Sequence, residues 1–321
     1  MSGDLQITFL DPKTVTETQI AEVTHTVCKA FKDYNVSINA AAEVIEEEFG
    51  DPKIGPLAVS GICNSLDGVA ATNGDGQIVG VTFVDVHTKG SKVAILGPVA
   101  SLAPGAGKKT FVAACAHAEK LGFSTLILMQ VASNSRAFSL YAKLGFEAKH
   151  TCQYIGGFLP PSESSSPATD TDGLSLMAMT AQDVPECVEL FRRAHGADGG
   201  WDRQPDITGL LEAGYPFVML VARDTAGKMV GYSTGFFIVG HQVSVSQDVF
   251  CAMYTETSRL HQARGLPCPR FHCPMEFPGL ISWALEQRLT VYRAVIIMAR
   301  GTYEHAWPGC GLVVTPSAMG W

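Results

Sequence analysis

The sequence predicts a mixed α/β protein built as two tandem domains, each with a mixed central β-sheet flanked by helices. Two observations support this prediction. The chain has 321 residues, which exceeds the usual domain length of about 100–200 residues. In addition, a similar order of helical and strand-like patterns occurs on both sides of a Pro- and Ser-rich segment near the middle.

That central segment, residues 159–173, has no apolar periodicity and is rich in Pro, Ser and Asp. Such a composition is typical of an exposed linker. We therefore expect an amino-terminal domain at 1–158 and a carboxy-terminal domain at 174–321.

The two halves begin alike. Each starts with an amphipathic helical pattern, at residues 14–31 and 181–194. Each then has a Gly-bearing turn that precedes an apolar strand, at residues 75–83 and 226–234. These matching patterns predict one duplicated β-hairpin.

Strand and helix patterns then alternate. The first half has a strand pattern at 93–99, a helix pattern at 108–121 and a buried strand at 125–131. In the second half we expect the corresponding helix at 279–287 and the strand at 291–298. This alternation predicts mixed sheets covered by helices.

Charge and composition exclude several classes of protein. The chain has 23 Lys and Arg against 31 Asp and Glu, a formal charge of −8, so we expect neither nucleic acid nor an anionic membrane as partner. The sequence has no apolar run of the ~20 residues that a membrane span needs, and its polar start is unlike a signal peptide. Nine scattered cysteines without a Cys-x-x-Cys pair fit a reducing compartment. We expect a soluble, cytoplasmic protein.

Residues 134–146 carry the most informative motif, Asn-x-x-Ala-x-x-Leu-Tyr-x-x-Leu-Gly-Phe. Its residue types predict a short helix that Asn134 caps and Gly145 ends. The motif resembles the segment after the fifth strand of GCN5-related N-acetyltransferases (GNATs). The resemblance implies that Asn134 lies near the pantetheine of coenzyme A and that Tyr141 protonates the leaving thiolate. The alternative is that Tyr141 is only a core aromatic residue.

Residues 96–109 lie where that family binds the pyrophosphate of coenzyme A, on a loop of the form Gln/Arg-x-x-Gly-x-Gly/Ala. Gly105 and Gly107 match the last two small positions, and Lys108 adds positive charge. The Gln/Arg is missing, the loop is shorter, and Pro104 removes one donor. The resemblance implies acetyl-CoA or another acyl-CoA as co-substrate, held by Val99, Gly105, Gly107 and Lys108. The alternative is an ordinary Gly/Pro turn before a helix.

The second half has neither motif, but its end resembles the carboxy-terminal domain of tandem GNAT proteins, which implies that it shapes the acceptor pocket. Some tandem members use a terminal carboxylate as base, so the resemblance also implies a catalytic role for Trp321. The alternative is that Trp321 is an aromatic plug of the last strand.

Other sites are weaker. Residues 268–273 contain two Cys and one His but lack the second ligand pair of a zinc site, so we expect no metal. His195 and His241 are single imidazoles without a nucleophile partner.

These observations predict acyl transfer from coenzyme A to a small-molecule amine. Two alternatives stay open. One is a GNAT-like enzyme that catalyses another reaction, such as cyclisation or decarboxylation. The other is a non-catalytic module that binds a ligand or a partner.

Overall fold

The computed structural model describes residues 5–37, 49, 54–86, 92–160, 173–195, 203–212, 218–237, 240–303 and 313–315. Most of the predicted linker and Trp321 therefore lie outside the described residues.

In its described residues, the first half of the chain contains six strands and four helices. In chain order they are β1 (Gln6–Leu10), α1 (Glu17–Ser37), α2 (Ile54–Cys63), β2 (Asp67–Thr72), β3 (Ile78–Asp85), β4 (Val93–Ser101), α3 (Ala106–Lys120), β5 (Thr125–Val131), α4 (Ser135–Lys143) and β6 (Glu147–Gly156).

The second half repeats this order in its described helices and strands, with a short 3-10 turn (Ala181–Asp183) added before its first helix. Its elements are β7 (Ser175–Ala178), α5 (Val184–His195), α6 (Gln204–Glu212), β8 (Leu220–Arg223), β9 (Met229–Ser233), β10 (Gln242–Ser244), α7 (Gln247–Arg264), β11 (Arg270–Pro274), α8 (Pro278–Glu286) and β12 (Thr290–Arg300), followed by β13 (Val313–Thr315). The repeated order confirms the predicted tandem α/β architecture.

The helix α7 corrects one detail of the sequence prediction. We expected residues 279–287 to be the counterpart of α3, but the element order makes α7 that counterpart and α8 the counterpart of α4. Ser246 caps α7 by accepting a hydrogen bond from the Val249 amide, and Gly265 ends it in the left-handed conformation. Residues 249–254 of α7 are all buried, so this stretch of the helix has no polar face and gives no amphipathic pattern.

The strands form two sheets. The larger has the order β1-β2-β3-β4-β5-β12-β6-β11, and the smaller has the order β13-β10-β9-β8-β7. All described neighbours are antiparallel except β4 and β5, which are parallel.

The two halves are interlocked within the larger sheet. Strand β12 from the second half pairs with β5 on one side and with β6 on the other, and β11 pairs with the outer edge of β6. In this part of the sheet, β5 and β6 of the first half therefore alternate with β12 and β11 of the second half. The boundary at 159–173 stays a prediction, but the sheet itself continues across it.

The hydrophobic core also joins the halves. One cluster contains Ile127 and Val295 of the large sheet together with Phe191 of α5 and Tyr232 of β9. A separate cluster on the opposite face of the large sheet packs α3 and α4 against Leu126, Leu128 and Met298. The large sheet is thus covered on both faces, and burial of these residues is the main source of its stability.

In the described part of the chain, every helix is too short or too polar to cross a membrane.

Candidate functional site

Strands β4 and β5 separate partway along their length. They pair in parallel at Val93–Thr125, Ala94–Leu126 and Ile95–Ile127, and the described pairing ends there. Both strands continue, β4 to Ser101 and β5 to Val131. Since the carboxyl ends of parallel strands lie at the same edge of a sheet, the separation forms a cleft that opens at this edge. We call it the β4/β5 cleft.

A bulge explains why the strands separate. Strand β4 pairs with β3 at Leu96–Val84 and then at Val99–Thr82, so Gly97 and Pro98 together lie opposite one residue. Gly97 has φ 141°, a region that favours glycine, and Pro98 has no amide hydrogen for a ladder. A bulge bends its strand and increases its twist, which turns β4 away from β5.

The loop after β4 is held by Ser101. Its Oγ donates to the carbonyl oxygen of Ala103 at 2.8 Å and accepts from the amide of Gly107 at 3.2 Å. Gly105 has φ 84° in the left-handed region and forms the N-cap of α3 without a side-chain hydrogen bond. The sequence-predicted Gly105 and Gly107 therefore stand at a helix N-terminus, where backbone donors favour an anion.

Small residues bring this helix end close to the sheet. A Cβ on Gly80 of β3 would lie 2.8 Å from the Cβ of Ala106, and one on Gly107 would lie 3.2 Å from that of Ser101. The first turn of α3 has no acidic residue, and both Lys108 and Lys109 are exposed there. Lysines at a helix N-terminus are unfavourable for the free protein and favourable for an anionic ligand.

Tyr141 lies in α4, on the α3 side of the large sheet. Its side chain is 6% exposed, and its ring centroid is 4.7 Å from that of Phe111 in α3 and 6.4 Å from that of Phe146. Burial, together with the nearby Cys115 thiol, raises the pKa of the Tyr141 hydroxyl. The hydroxyl therefore stays protonated at neutral pH, which is the form that a proton donor needs.

Asn134 caps α4, as the sequence predicts. Its Oδ1 accepts a hydrogen bond from the amide of Ala137 at 3.0 Å. It follows directly on the turn after β5, where the Ser133 hydroxyl lies 3.3 Å from the Tyr34 hydroxyl of α1. Asn134 thus borders the same edge of the cleft as the α3 N-terminus.

One residue of β5 was not singled out by the sequence reasoning. Gln130 is 7% exposed, and neither polar atom of its carboxamide has a hydrogen-bond partner among the residues that the structure describes. A Gln inside the apolar run Thr-Leu-Ile-Leu-Met-Gln-Val was the available signal.

A polar and aromatic cluster lies on the opposite face of the sheet, beyond the end of β5. The Tyr154 and His272 rings stack with centroids 4.6 Å apart, the guanidinium of Arg270 lies 4.1 Å from the Tyr292 ring centroid, and that of Arg293 lies 5.5 Å from the Tyr154 ring centroid. Burial lowers the pKa of Arg293 to about 10. Arginines within the apolar strands β11 and β12 were the sequence signal that we missed.

The structure therefore brings Val99, Gly105, Gly107, Lys108 and Asn134 to the β4/β5 cleft and its edge, with Tyr141 behind it. Their roles stay predictions, as does that of Trp321, which lies outside the described residues. In the described part of the chain, no group of three or more His, Cys, Asp or Glu could hold a metal ion.

A surface depression of about 410 Å³ is lined by residues of β6 and by Met275 and Glu276. It includes none of the residues predicted from the sequence. Its His150 and Glu276 side chains are hydrogen-bonded to each other. We assign the site to the cleft because the predicted residues border the cleft.

Comparisons with known proteins agree with this topology. No family model matches the sequence, and no curated protein is significantly similar to it. Among solved structures, a candidate acetyltransferase from Pyrococcus horikoshii superposes with a TM-score of 0.64 at 13% identity, over 93% of this chain and 90% of that one.

Two further structures are similar over nearly all of their length. A GNAT from Sphaerobacter thermophilus has a TM-score of 0.59 at 14% identity and covers 92% of this chain and 95% of its own. A tandem GNAT protein from the clavulanic acid biosynthesis pathway, in a structure without acetyl-CoA, has a TM-score of 0.61 at 13% identity, over 94% and 100% of the two chains. The chain therefore has the fold of the tandem GCN5-related N-acetyltransferases.

Proposed function

We propose that this chain transfers an acyl group from a coenzyme A thioester to the amine of a small molecule. The observation that carries the proposal is the β4/β5 cleft, which opens beside the N-terminus of α3. That helix end combines backbone donors with Lys108 and Lys109 and fits a pyrophosphate. The cleft between two unpaired strands fits an extended, amide-bearing arm.

Each part of the site has its own task in this proposal. Acyl-CoA supplies the activated acyl carbon. The α3 N-terminus and its lysines hold the pyrophosphate, and Val99 and Asn134 flank the arm along the cleft. When the amine nitrogen bonds to the acyl carbon and the carbon–sulfur bond breaks, the Tyr141 hydroxyl donates its proton to the sulfur. A base or water accepts the proton that the amine loses.

The second half of the chain contributes to the acceptor side. Strands β11 and β12 supply Arg270, His272 and Arg293 on the face that carries α1, where the Arg293 Nη1 donates to Asn35 Oδ1 at 3.4 Å. This cluster lies just beyond the carboxyl end of β5, since the amide of Ala132 donates to the Ala294 carbonyl at 2.9 Å. We place the acceptor amine there, across the sheet from Tyr141.

Two measurements test the proposal. Isothermal titration calorimetry with coenzyme A measures binding, and release of free thiol from acetyl-CoA with a panel of small amines measures transfer. We expect binding together with amine-dependent thiol release. A folded protein without affinity for coenzyme A or acetyl-CoA would overturn the proposal.

The hydrogen bond between Ser101 and Gly107 favours a second candidate, a protein that uses the same cleft for another reaction or for binding alone. The Ser101 hydroxyl occupies a donor that would otherwise face the anion. In that case Ser101→Ala, which frees this amide, leaves coenzyme A binding undetectable. Under acyl transfer, the same variant binds coenzyme A at least as tightly as the parent protein does.

A further inference from the structure

Gln130 occupies a defined place beside the β4/β5 cleft. It lies on β5, three residues after Ile127, which forms the last described pair with β4. On the other side of β5 it pairs with Ile296 of β12. Since Ile296 packs against the cluster of α3 and α4, and paired residues share a face of the sheet, Gln130 faces the side of the sheet that carries Tyr141.

The burial of Gln130 is unfavourable in the free protein. The side chain is more than nine-tenths buried, and both Nε2 and Oε1 lack hydrogen-bond partners among the described residues. Folded proteins pair nearly all such groups because a buried unpaired amide loses its bonds to water. When the surroundings of a residue leave its polar groups unpaired in this way, a functional site is the expected reason.

The chemistry of a carboxamide limits what would satisfy it. It offers two N–H donors and one carbonyl acceptor and has no charge. A secondary amide has the complementary groups, one acceptor and one donor. The pyrophosphate is already matched by the charged end of the cleft at Lys108 and Lys109, so a neutral, amide-bearing part of the ligand is the partner for Gln130.

We propose that Gln130 binds the amide-bearing pantetheine arm of acyl-CoA through its carboxamide. This inference rests on the proposed function. The arm contains secondary amides between the pyrophosphate and the sulfur, so it passes along the cleft from the α3 N-terminus toward Tyr141. Gln130 is then a binding residue that takes no part in proton transfer.

The test uses Gln130→Met, which keeps the length of the side chain and removes its donor and acceptor. Calorimetry of the full chain measures affinity for coenzyme A, for pantetheine and for adenosine bisphosphate, which lacks the arm. We expect affinity for coenzyme A and pantetheine to fall about tenfold, the scale of one or two lost neutral hydrogen bonds. Affinity for adenosine bisphosphate stays unchanged.

A second readout is the melting temperature of the free protein. Since Gln130 has no partner to lose among the described residues, Gln130→Met should melt at the same temperature or higher. The matched control is Gln242→Met, because Gln242 is also buried and its Nε2 donates to the Gly235 carbonyl at 2.6 Å. This control should melt lower and bind coenzyme A normally.

The outcomes separate this inference from the proposed function. If the parent protein does not bind coenzyme A, both are wrong. If the parent binds and Gln130→Met binds equally well, only the role of Gln130 is wrong. A variant that melts well below the parent, or fails to fold, would show that the carboxamide serves the free protein, and it would overturn the inference as well.

Discussion

Tyr141 combines a packing role with the proton donation that we propose for it. Its ring fills the space between α3 and α4 against Phe111 and Phe146, so the ring alone accounts for its burial. The same burial raises the pKa of the hydroxyl and keeps the proton in place. If Tyr141 only packs, removal of its hydroxyl alone should leave kcat unchanged. If it also donates a proton, the same change should lower kcat.

Tyr141→Phe keeps the ring and removes the hydroxyl that we propose as the proton donor. We expect kcat for acyl transfer to fall by roughly tenfold to a thousandfold, the scale of one lost general acid, with little change in melting temperature. Because the folded pKa is raised, the hydroxyl stays protonated through pH ~10, so the parent rate should show no alkaline fall that is due to Tyr141. Steady-state kinetics up to pH ~10 measure both the fall in kcat of the variant and the pH dependence of the parent rate.

The control for Tyr141→Phe is Tyr254→Phe. The hydroxyl of Tyr254 is buried in the second half and lies 2.8 Å from the carbonyl oxygens of Gly157 and Pro269. This variant should lose stability by about 1 kcal/mol and retain its kcat. Full activity in Tyr141→Phe would return Tyr141 to a purely structural role.

At the scale of elements, α3 has an unusual distribution of charge. Lys108 and Lys109 lie in its first turn, which has no acidic residue, and Lys120 lies in its last turn. Of these three lysines, only Lys120 is placed favourably for the helix dipole. The first-turn lysines are therefore better explained by an anionic ligand than by the stability of the helix.

Exchanging these lysines for glutamate should separate the two effects. Lys108→Glu with Lys109→Glu should stabilise the free protein by about 1 kcal/mol and weaken coenzyme A binding by about tenfold to a hundredfold. Lys120→Glu, the control on the same helix, should destabilise the protein and leave binding unchanged. Unfolding by denaturant measures the stability of each variant, and calorimetry at low salt measures its affinity for coenzyme A. Unchanged affinity in the double variant would remove α3 from the anion site.

The bulge in β4 is the second element that the site depends on. Gly97 adopts φ 141° with open space around its missing Cβ, so an added methyl group has room and costs only backbone strain. Gly97→Ala should destabilise the protein by ~1–3 kcal/mol and weaken coenzyme A binding, because relief of the strain alters the bend that separates β4 from β5.

Gly122→Ala controls for the strain itself. Gly122 follows α3, has φ 95° and likewise has open space where a Cβ would lie. Its loss of stability should be similar, with normal affinity for coenzyme A. Equal affinity in the Gly97 and Gly122 variants would contradict the role of the bulge.

At the scale of the whole molecule, the larger sheet contains strands of both halves. A boundary between the halves in the sequence is therefore not a boundary in the sheet. Strand β12 pairs along most of its length with both β5 and β6 of the first half. All of these pairs join residues that are more than a hundred positions apart in the chain. Cutting the connection between the halves therefore does not remove the contacts that hold them together.

Limited proteolysis tests this arrangement. We expect the first cleavage within residues 159–173, and we expect the two fragments to elute together in size-exclusion chromatography until denaturant is added. Coenzyme A binding should survive the cut. Fragments that separate in native buffer, or an early cut within β12, would contradict the interlocked arrangement.

The sequence by itself determined the local features of this protein. The cap at Asn134, the bounds of β5, the duplicated hairpin and the Gly105 turn were all predicted, because capping, turn chemistry and apolar periodicity act within a few residues. The duplicated order also predicted the tandem architecture. A resemblance in the residues around Tyr141 pointed to the same fold as the solved structures.

Only the tertiary structure decided where the strands of the second half lie and what they bury. That β12 enters between β5 and β6, that β4 bends away from β5, and that Gln130 is enclosed without a partner among the described residues all depend on pairing between distant segments. Such pairing leaves no periodic signal in either segment, because each strand has the same alternation whichever partner it finds. The site arises where these long-range contacts meet the local motifs.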